Sequence, residues 1–287
     1  MLDELINNFK ILTKSLEIFY VIKDLKPVSR IILEDFEIEK IKLLEKYDLY
    51  VAISDFKIMN QTDENRGFSD KGIRIDKNST IPGKVFVYIS KSKEEVEKAK
   101  EFEKNSNHQE LGKLLGYPKC CSKFFNDNFP IESKNKNDYT FATLKNSVGI
   151  KFPFYTNIAL RHLDLTLLSH FPCSFNCKES IKIAKKHLDL IEKHSKKYFK
   201  ILSEMLKGAV IYTKEEGVFL LKDSKIDEDK LKYNEIIESK NNYLFDLLKN
   251  DENKIIKIID KNHIQIGKKD IKNKDNQDNN IGFMFFE

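Results

Sequence analysis

Tryptophan is absent from the 287 residues, and cysteine occurs only four times. No apolar run approaches the roughly 18–20 residues that a bilayer span requires, so no membrane-crossing helix is expected. The usual signatures of dinucleotide, zincin and hydrolase chemistry are missing: G-x-G-x-x-G, H-E-x-x-H and G-x-S-x-G do not occur. The run "IGKKDIK" at 266–272 is not a P-loop, because it has neither the earlier glycine nor the Gly-Lys-Ser/Thr ending. Internal repeats are absent as well. The opening "MLDELINNFKIL" carries Asp3 and Glu4 where a secretory signal would carry Lys or Arg. A cytoplasmic location is expected, and there four cysteines act more readily as thiols or metal ligands than as disulfides.

What is present supports a folded chain. Hydrophobic residues make up 40%, and 21 Phe with 11 Tyr supply large core side chains in place of tryptophan. Charged residues reach 33%, with Lys and Glu interspersed rather than blocked, the pattern of solvated helix faces. The net charge of +5 is not gathered into a stripe, which argues against a nucleic-acid partner. Nucleic-acid modification has only that mild basicity in its favour. No partner is identified.

The periodicity divides the chain into three stretches. Residues 2–22 repeat apolar positions every three or four, as one helix would. "SRIILED", "LYVAISDFKI" and "KVFVYIS" read as strands, "EIEKIKLLEKYD" as an amphipathic helix, and "NQTDENRGFSDKG" as a surface loop. These, with the polar helix "KSKEEVEKAKEFEKN", form an expected α/β domain over 1–105. A helical four-cysteine region is expected over 106–207. It begins with Asn107 and Glu110 as a capping box, followed by a helix stopped at Gly116 and a new one entered at Pro118. A polar segment "NDNFPIESKNKND", a helical stretch through "NIALRHLDLTLLSHF" and one long helix over about 174–206 complete it. The remaining 208–287 returns to period two, with strands "AVIYT", "VFLLKD", "KLKYNEII", "KIIKIID", "HIQIG" and "IGFMFF" around a short helix "NYLFDLL". The turn "KEEG" and the polar loop "IKNKDNQDNN" punctuate this small α+β domain. The fold class is therefore mixed, α/β and α+β.

All four cysteines fall in the middle region. Cys120 and Cys121 lie in the first turn of the helix after Pro118. Cys173 and Cys177 follow Pro172 at the start of the long helix, where an i, i+4 spacing places both sulfurs on one face. Helix N-termini carry a partial positive charge and free N–H groups, which favour the thiolate. Two such termini could assemble a four-sulfur site for zinc or for an iron–sulfur cluster. One geometric objection arises: neighbouring helical residues point about 100° apart, so Cys120 and Cys121 should not easily face one ion. A site of three cysteines with His170 is a way out, although a neutral surface role suits His170 better. The alternatives are buried thiols packing as small hydrophobes, disulfides joining the pairs, and a thiol–redox role, the last without C-x-x-C spacing. If the cysteines are buried or disulfide-linked, the protein is a metal-free binding or scaffold protein. Whether it is an enzyme is undetermined.

"ELGKLLGYPKCCSKFF" (110–125) and "FPCSFNCKESIKIAKKHL" (171–188) together resemble the prokaryotic, largely archaeal family known as domain of unknown function 483. The resemblance covers about residues 85–222 and implies no established reaction.

Other polar residues read as structural. Glu110 caps its helix, His187 and His194 share a Lys-rich solvated face, and His162 is a buried hydrogen-bonded histidine. Tyr117 packs in the turn. Asp24, Glu34, Asp35 and Asp55 are loop acids near strand ends.

Overall fold

The computed structural model describes residues 1–60, 71–134, 137–213, 217–238, 242–273 and 281–287. Most of the expected loop at 60–72, the turn at 214–217 and the polar loop at 271–280 lie outside the described residues. The N-terminal stretch runs α1 (Leu2–Phe9), α2 (Leu12–Ile22), β1 (Val28–Glu34), a 3₁₀ helix (Asp35–Tyr47), β2 (Tyr50–Ile53), β3 (Phe56–Asn60), β4 (Gly72–Asp76) and β5 (Lys84–Ser90). The middle runs α3 (Lys93–Lys104), α4 (His108–Leu114), α5 (Lys119–Glu132), α6 (Thr140–Lys145), β6 (Lys151–Phe152), α7 (Lys178–His194) and α8 (Lys196–Met205). The rest comprises β7 (Gly208–Thr213), β8 (Val218–Lys222), β9 (Lys225–Asp227), β10 (Lys230–Lys232), β11 (Glu235–Glu238), α9 (Tyr243–Lys249), β12 (Ile255–Asp260), β13 (His263–Ile266), β14 (Lys269–Lys272) and β15 (Ile281–Phe286).

Three sheets result. The first is ordered β1-β5-β3-β4, with β2 also pairing β5; the second is β11-β8-β7-β15-β6 and the third β14-β13-β12-β10-β9. Pairing is antiparallel except for β15 beside β6. Strand β7 is buried along its whole length because both faces are covered. Its side chains alternate: Val210 and Tyr212 join a core with Phe19, Leu188 and Ile191, while Ala209 and Ile211 join another with Phe219, Ile256 and Phe283. The second sheet is thus sandwiched between helices and the third sheet. On the first sheet, α3 and α4 pack through Val96, Ala99, Leu111 and Leu115 against Val28 and Tyr88. Among the described residues no helix is long and apolar enough to cross a membrane.

Several expected elements differ, each for a physical reason. The helix over 2–22 is two helices, because Lys10 turns left-handed (φ 59°) and Ile11 is extended. The start of α2 is capped from far away: the Asp164 carboxylate accepts from the backbone N–H groups of Leu12 and Thr13, the latter at 2.9 Å. Losing such a cap costs about 1–2 kcal/mol, so Asp164→Ala should lower the unfolding free energy by that amount, read in urea as a lower midpoint with an unchanged m-value.

The stretch at 37–48 is 3₁₀ rather than α. Its apolar residues Ile38, Ile41, Leu44 and Tyr47 recur every third position, the period of a 3₁₀ helix. The run "LYVAISDFKI" is two strands, split at Ser54 and Asp55. Helix α5 continues through Pro130 into the segment expected to be polar loop. Phe125 and Phe129 hold it by packing on His108, and Phe125 stacks on Tyr139 at 4.5 Å. The stretch before Pro172 is short 3₁₀ turns and loop rather than helix, ended by Asp164 at φ 59°. The long helix begins at Lys178, not 174, and breaks at Ser195, which is extended and caps α8.

Candidate metal centre

Two glycines and a proline aim the first cysteine pair. Gly116 takes φ +75°, which reverses the chain after α4, and Pro118 serves as N-cap of α5. At Gly112 the helices touch: a Cβ there would lie 2.5 Å from Ser122 Oγ, so α4 approaches α5 only without a side chain. Cys120 and Cys121 are consequently the second and third residues of α5, one exposed and one buried.

The second pair is held in a loop. Cys173 precedes α7 in non-helical backbone, and Cys177 is its N-cap, so the expected placement of both on one helical face is wrong. The loop is fixed by side chains of α6 and its end: Thr143 Oγ1 donates to the Pro172 carbonyl (2.8 Å), Asn146 Nδ2 to the Cys173 carbonyl (2.6 Å), and Ser147 Oγ accepts from Phe175 N–H (2.8 Å). Phe175 is fully buried between Phe152 and Phe286, with ring centroids at 5.1 and 5.3 Å. An aromatic anchor thus fixes the backbone midway between Cys173 and Cys177.

The four sulfurs all lie within 4.8 Å of one another. Cys120 and Cys121 Sγ are 3.8 Å apart, and each is 3.7 Å from Cys177 Sγ. All four cysteines are free. The 100° objection therefore does not hold. Side chains in a first helical turn lean toward the N-terminus, where no preceding turn obstructs them, and two neighbours can converge beyond the helix end. Among the described residues no other group of three or more His, Cys, Asp or Glu gathers in this way.

Donors surround the buried sulfurs. Cys121 Sγ accepts from the Cys173 N–H at 3.3 Å and lies 3.3 Å from Ser180 Oγ. Cys177 is pulled well below an ordinary thiol, first by its bonds with the Cys121 and Cys173 thiols and then by Ser180, against the cost of burial. Cys121 is pushed up by those same sulfur bonds and by burial. The bond to Cys121 lowers Cys173, but the bond to Cys177 and burial outweigh it and leave it at about 12. Crowded thiols favour one thiolate, at Cys177, on the N-terminus of α7.

His170 is not among the converging ligands, nor is it on the surface. It is buried, and its Nε2 lies 2.9 Å from Ser180 Oγ, so it stands one residue behind Cys121. It also lines a cavity of about 90 Å³ with Lys26, Tyr117, Ser169, Lys186 and His187. Tyr117 stacks near His170 rather than contacting the thiols, and its hydroxyl donates to the Ser169 carbonyl at 3.3 Å. Ser180, Thr143, Asn146 and Ser147 were not singled out from the sequence. Ser180 carried a local signal, being the third residue after an N-cap; the α6 residues carried none, since their bonds to the loop span 27–29 positions.

His187 is buried, contrary to a solvated face. It stacks on Tyr20 at 3.9 Å, with Nδ1 2.8 Å from the Leu167 carbonyl, whereas His194 is exposed. Burial pulls His187 down to about 4. A histidine that must stay neutral in the fold binds its proton more readily once unfolded, so its contribution is complete above its ordinary value near 6.5 and is lost as pH falls toward about 4. Stability measured at pH 7 and pH 5 should fall less in His187→Gln than in the parent.

His162 is half-buried and bonded to Tyr212 Oη at 3.2 Å, beside a buried Asp138–Arg161 pair. The loop acids pair with lysines: Asp24 with Lys91, Asp35 with Lys57 and Asp55 with Lys100.

No curated protein and no solved structure matches the chain. A family model does match, over residues 89–208, somewhat inside the 85–222 expected from the motifs. Both cysteine pairs, α5, α6 and α7 fall within it, and over this stretch the chain is similar to the family described as protein of unknown function (DUF483).

Proposed function

We propose that Cys120, Cys121, Cys173 and Cys177 hold one zinc ion that fastens the start of α5 to the loop and cap of α7. The observation that carries this reading is the sulfur spacing. Zinc–thiolate bonds of about 2.3 Å in a tetrahedron set the sulfurs about 3.8 Å apart, and three of the six separations are 3.7–3.8 Å. An iron–sulfur cluster distributes its thiolates over several irons and needs them farther apart, so a single ion suits the site better. Donors from the Cys173 N–H and Ser180 add support, since coordinating sulfurs are commonly hydrogen-bonded from behind. A four-thiolate zinc site is closed and structural. The protein then works by presenting a metal-stiffened helical junction between its sheets, in the cytoplasm, with His170 and Ser180 as the outer support of Cys121.

Elemental analysis of anaerobically purified protein tests this. The expected result is one zinc per chain in a colourless sample. Brown protein with several irons per chain would replace zinc by a cluster, and metal-free protein would return the cysteines to buried thiols in a binding or scaffold protein.

A further inference from the structure

The cavity of about 90 Å³ is walled by four separate segments: the link from α2 to β1, the turn between α4 and α5, the loop before Pro172, and the middle of α7. Its floor is buried, at Lys26, Leu115, His170 and His187, and its rim is exposed, at Ser169 and Lys186. An ammonium group has three N–H donors, and burial makes an unmet one costly. The Lys26 side chain is only 5% exposed, and among the described residues its Nζ meets two acceptors, the Glu17 carboxylate at 2.5 Å and Ser169 Oγ at 3.0 Å. One N–H is left over. Ser169 accepts from Lys26, so its own hydroxyl hydrogen is free to donate, and among the described residues no acceptor meets it. Two unspent donors therefore stand side by side on the cavity wall.

The charge balance agrees with them. Glu17 cancels Lys26, and among the described residues no Asp or Glu lines the cavity. Lys186 has no ion pair among those residues, which leaves one uncancelled positive charge at the rim. Leu25, Leu115 and Ile183 add an aliphatic wall. The volume is on the scale of a few waters, so only a small molecule fits.

We propose that this cavity binds a short-chain aliphatic monocarboxylate, with the carboxylate on Lys26, Ser169 and Lys186 and the chain against Leu25, Leu115 and Ile183. A charge-assisted hydrogen bond from the spare Lys26 N–H and a second from the Ser169 hydroxyl take the two oxygens. A single negative charge matches the one at the rim. Phosphate would use the same donors but leaves the aliphatic wall without a partner. The site contains no cysteine, so it stands apart from the zinc reading.

The test is an NMR titration of the full chain, isotopically labelled in its histidine rings, with sodium propionate at neutral pH and constant ionic strength. The ring signals of His170 and His187, on the cavity floor, should shift and saturate, while those of the exposed His194 stay in place. Lys186→Gln, at an exposed position, should keep the fold and weaken propionate about threefold to fivefold. Ile183→Phe should fill the aliphatic side and abolish the saturable shift. Inorganic phosphate, titrated alone, should bind more weakly than propionate. Tighter binding of phosphate, a shift of all ring signals that never saturates, or an unchanged affinity in Lys186→Gln would overturn the proposal. Zinc content measured on the same sample decides the metal reading separately, whichever way the titration goes.

Discussion

If the four cysteines hold zinc as proposed, Cys177→Ser should lose the metal and lower the melting temperature of the chain by on the order of 5–10 °C. The size follows from linkage. A ligand present at about 100 times its Kd stabilises the folded state by about 2.7 kcal/mol, and for a chain of this length 1 kcal/mol moves the midpoint by about 2–4 °C. Cys177 is the choice because it caps α7 and lies 3.7 Å from both sulfurs of the α5 pair, so both sides of the junction meet at it. Serine keeps the shape and places a hydroxyl suited to an N-cap where the sulfur stood, so the substitution removes the soft ligand without weakening the start of α7. Chelated parent protein should melt with the variant. Cys121→Ser and Cys173→Ser should behave alike, as neither sulfur has a substitute nearby. A Cys177→Ser protein that binds one zinc and melts with the loaded parent would exclude the proposed ligand set.

The second large effect lies away from the sulfurs. Phe175→Ala should cost about 3–5 kcal/mol and weaken metal binding together with it. Phe175 is wholly buried, packed on Phe152 and Phe286, and its own N–H and carbonyl are taken by Ser147 Oγ and Thr156 Oγ1 at 2.8 and 2.6 Å. Removing the ring leaves a cavity beneath the only segment that joins Cys173 to Cys177. Denaturant unfolding and a zinc competition titration on one preparation would check both halves. Phe175→Leu, which keeps most of the volume, should recover most of the affinity. A stability loss with unchanged zinc affinity would show that the loop geometry does not depend on its anchor.

Local chemistry made much of this site readable from the amino acids. Gly116, Pro118 and the cap at Asn107 are decisions the backbone makes within a few residues, and the turn they specify is the turn that aims Cys120 and Cys121. The two proline-preceded pairs identified the converging sulfurs, although periodicity placed Cys173 on a helix it does not join. What escaped was tertiary. Asp164 capping α2, the α6 side chains holding the 172–177 loop, and His187 buried on Tyr20 each depend on a partner at least 20 positions away. The 3₁₀ segment was different: the three-residue spacing of Ile38, Ile41, Leu44 and Tyr47 was in the sequence, with Leu43 beside it giving the stretch the look of an α-helix. His170 shows the limit most clearly, since its distance along the chain from Cys173 suggested a ligand while its hydrogen bond to Ser180 makes it a support.

X-ray absorption at the metal edge of the purified chain tests the central claim most directly. One zinc with a single shell of four sulfurs at about 2.3 Å is the expected result. Metal–metal scattering, a nitrogen ligand in place of one sulfur, or no bound metal would contradict it.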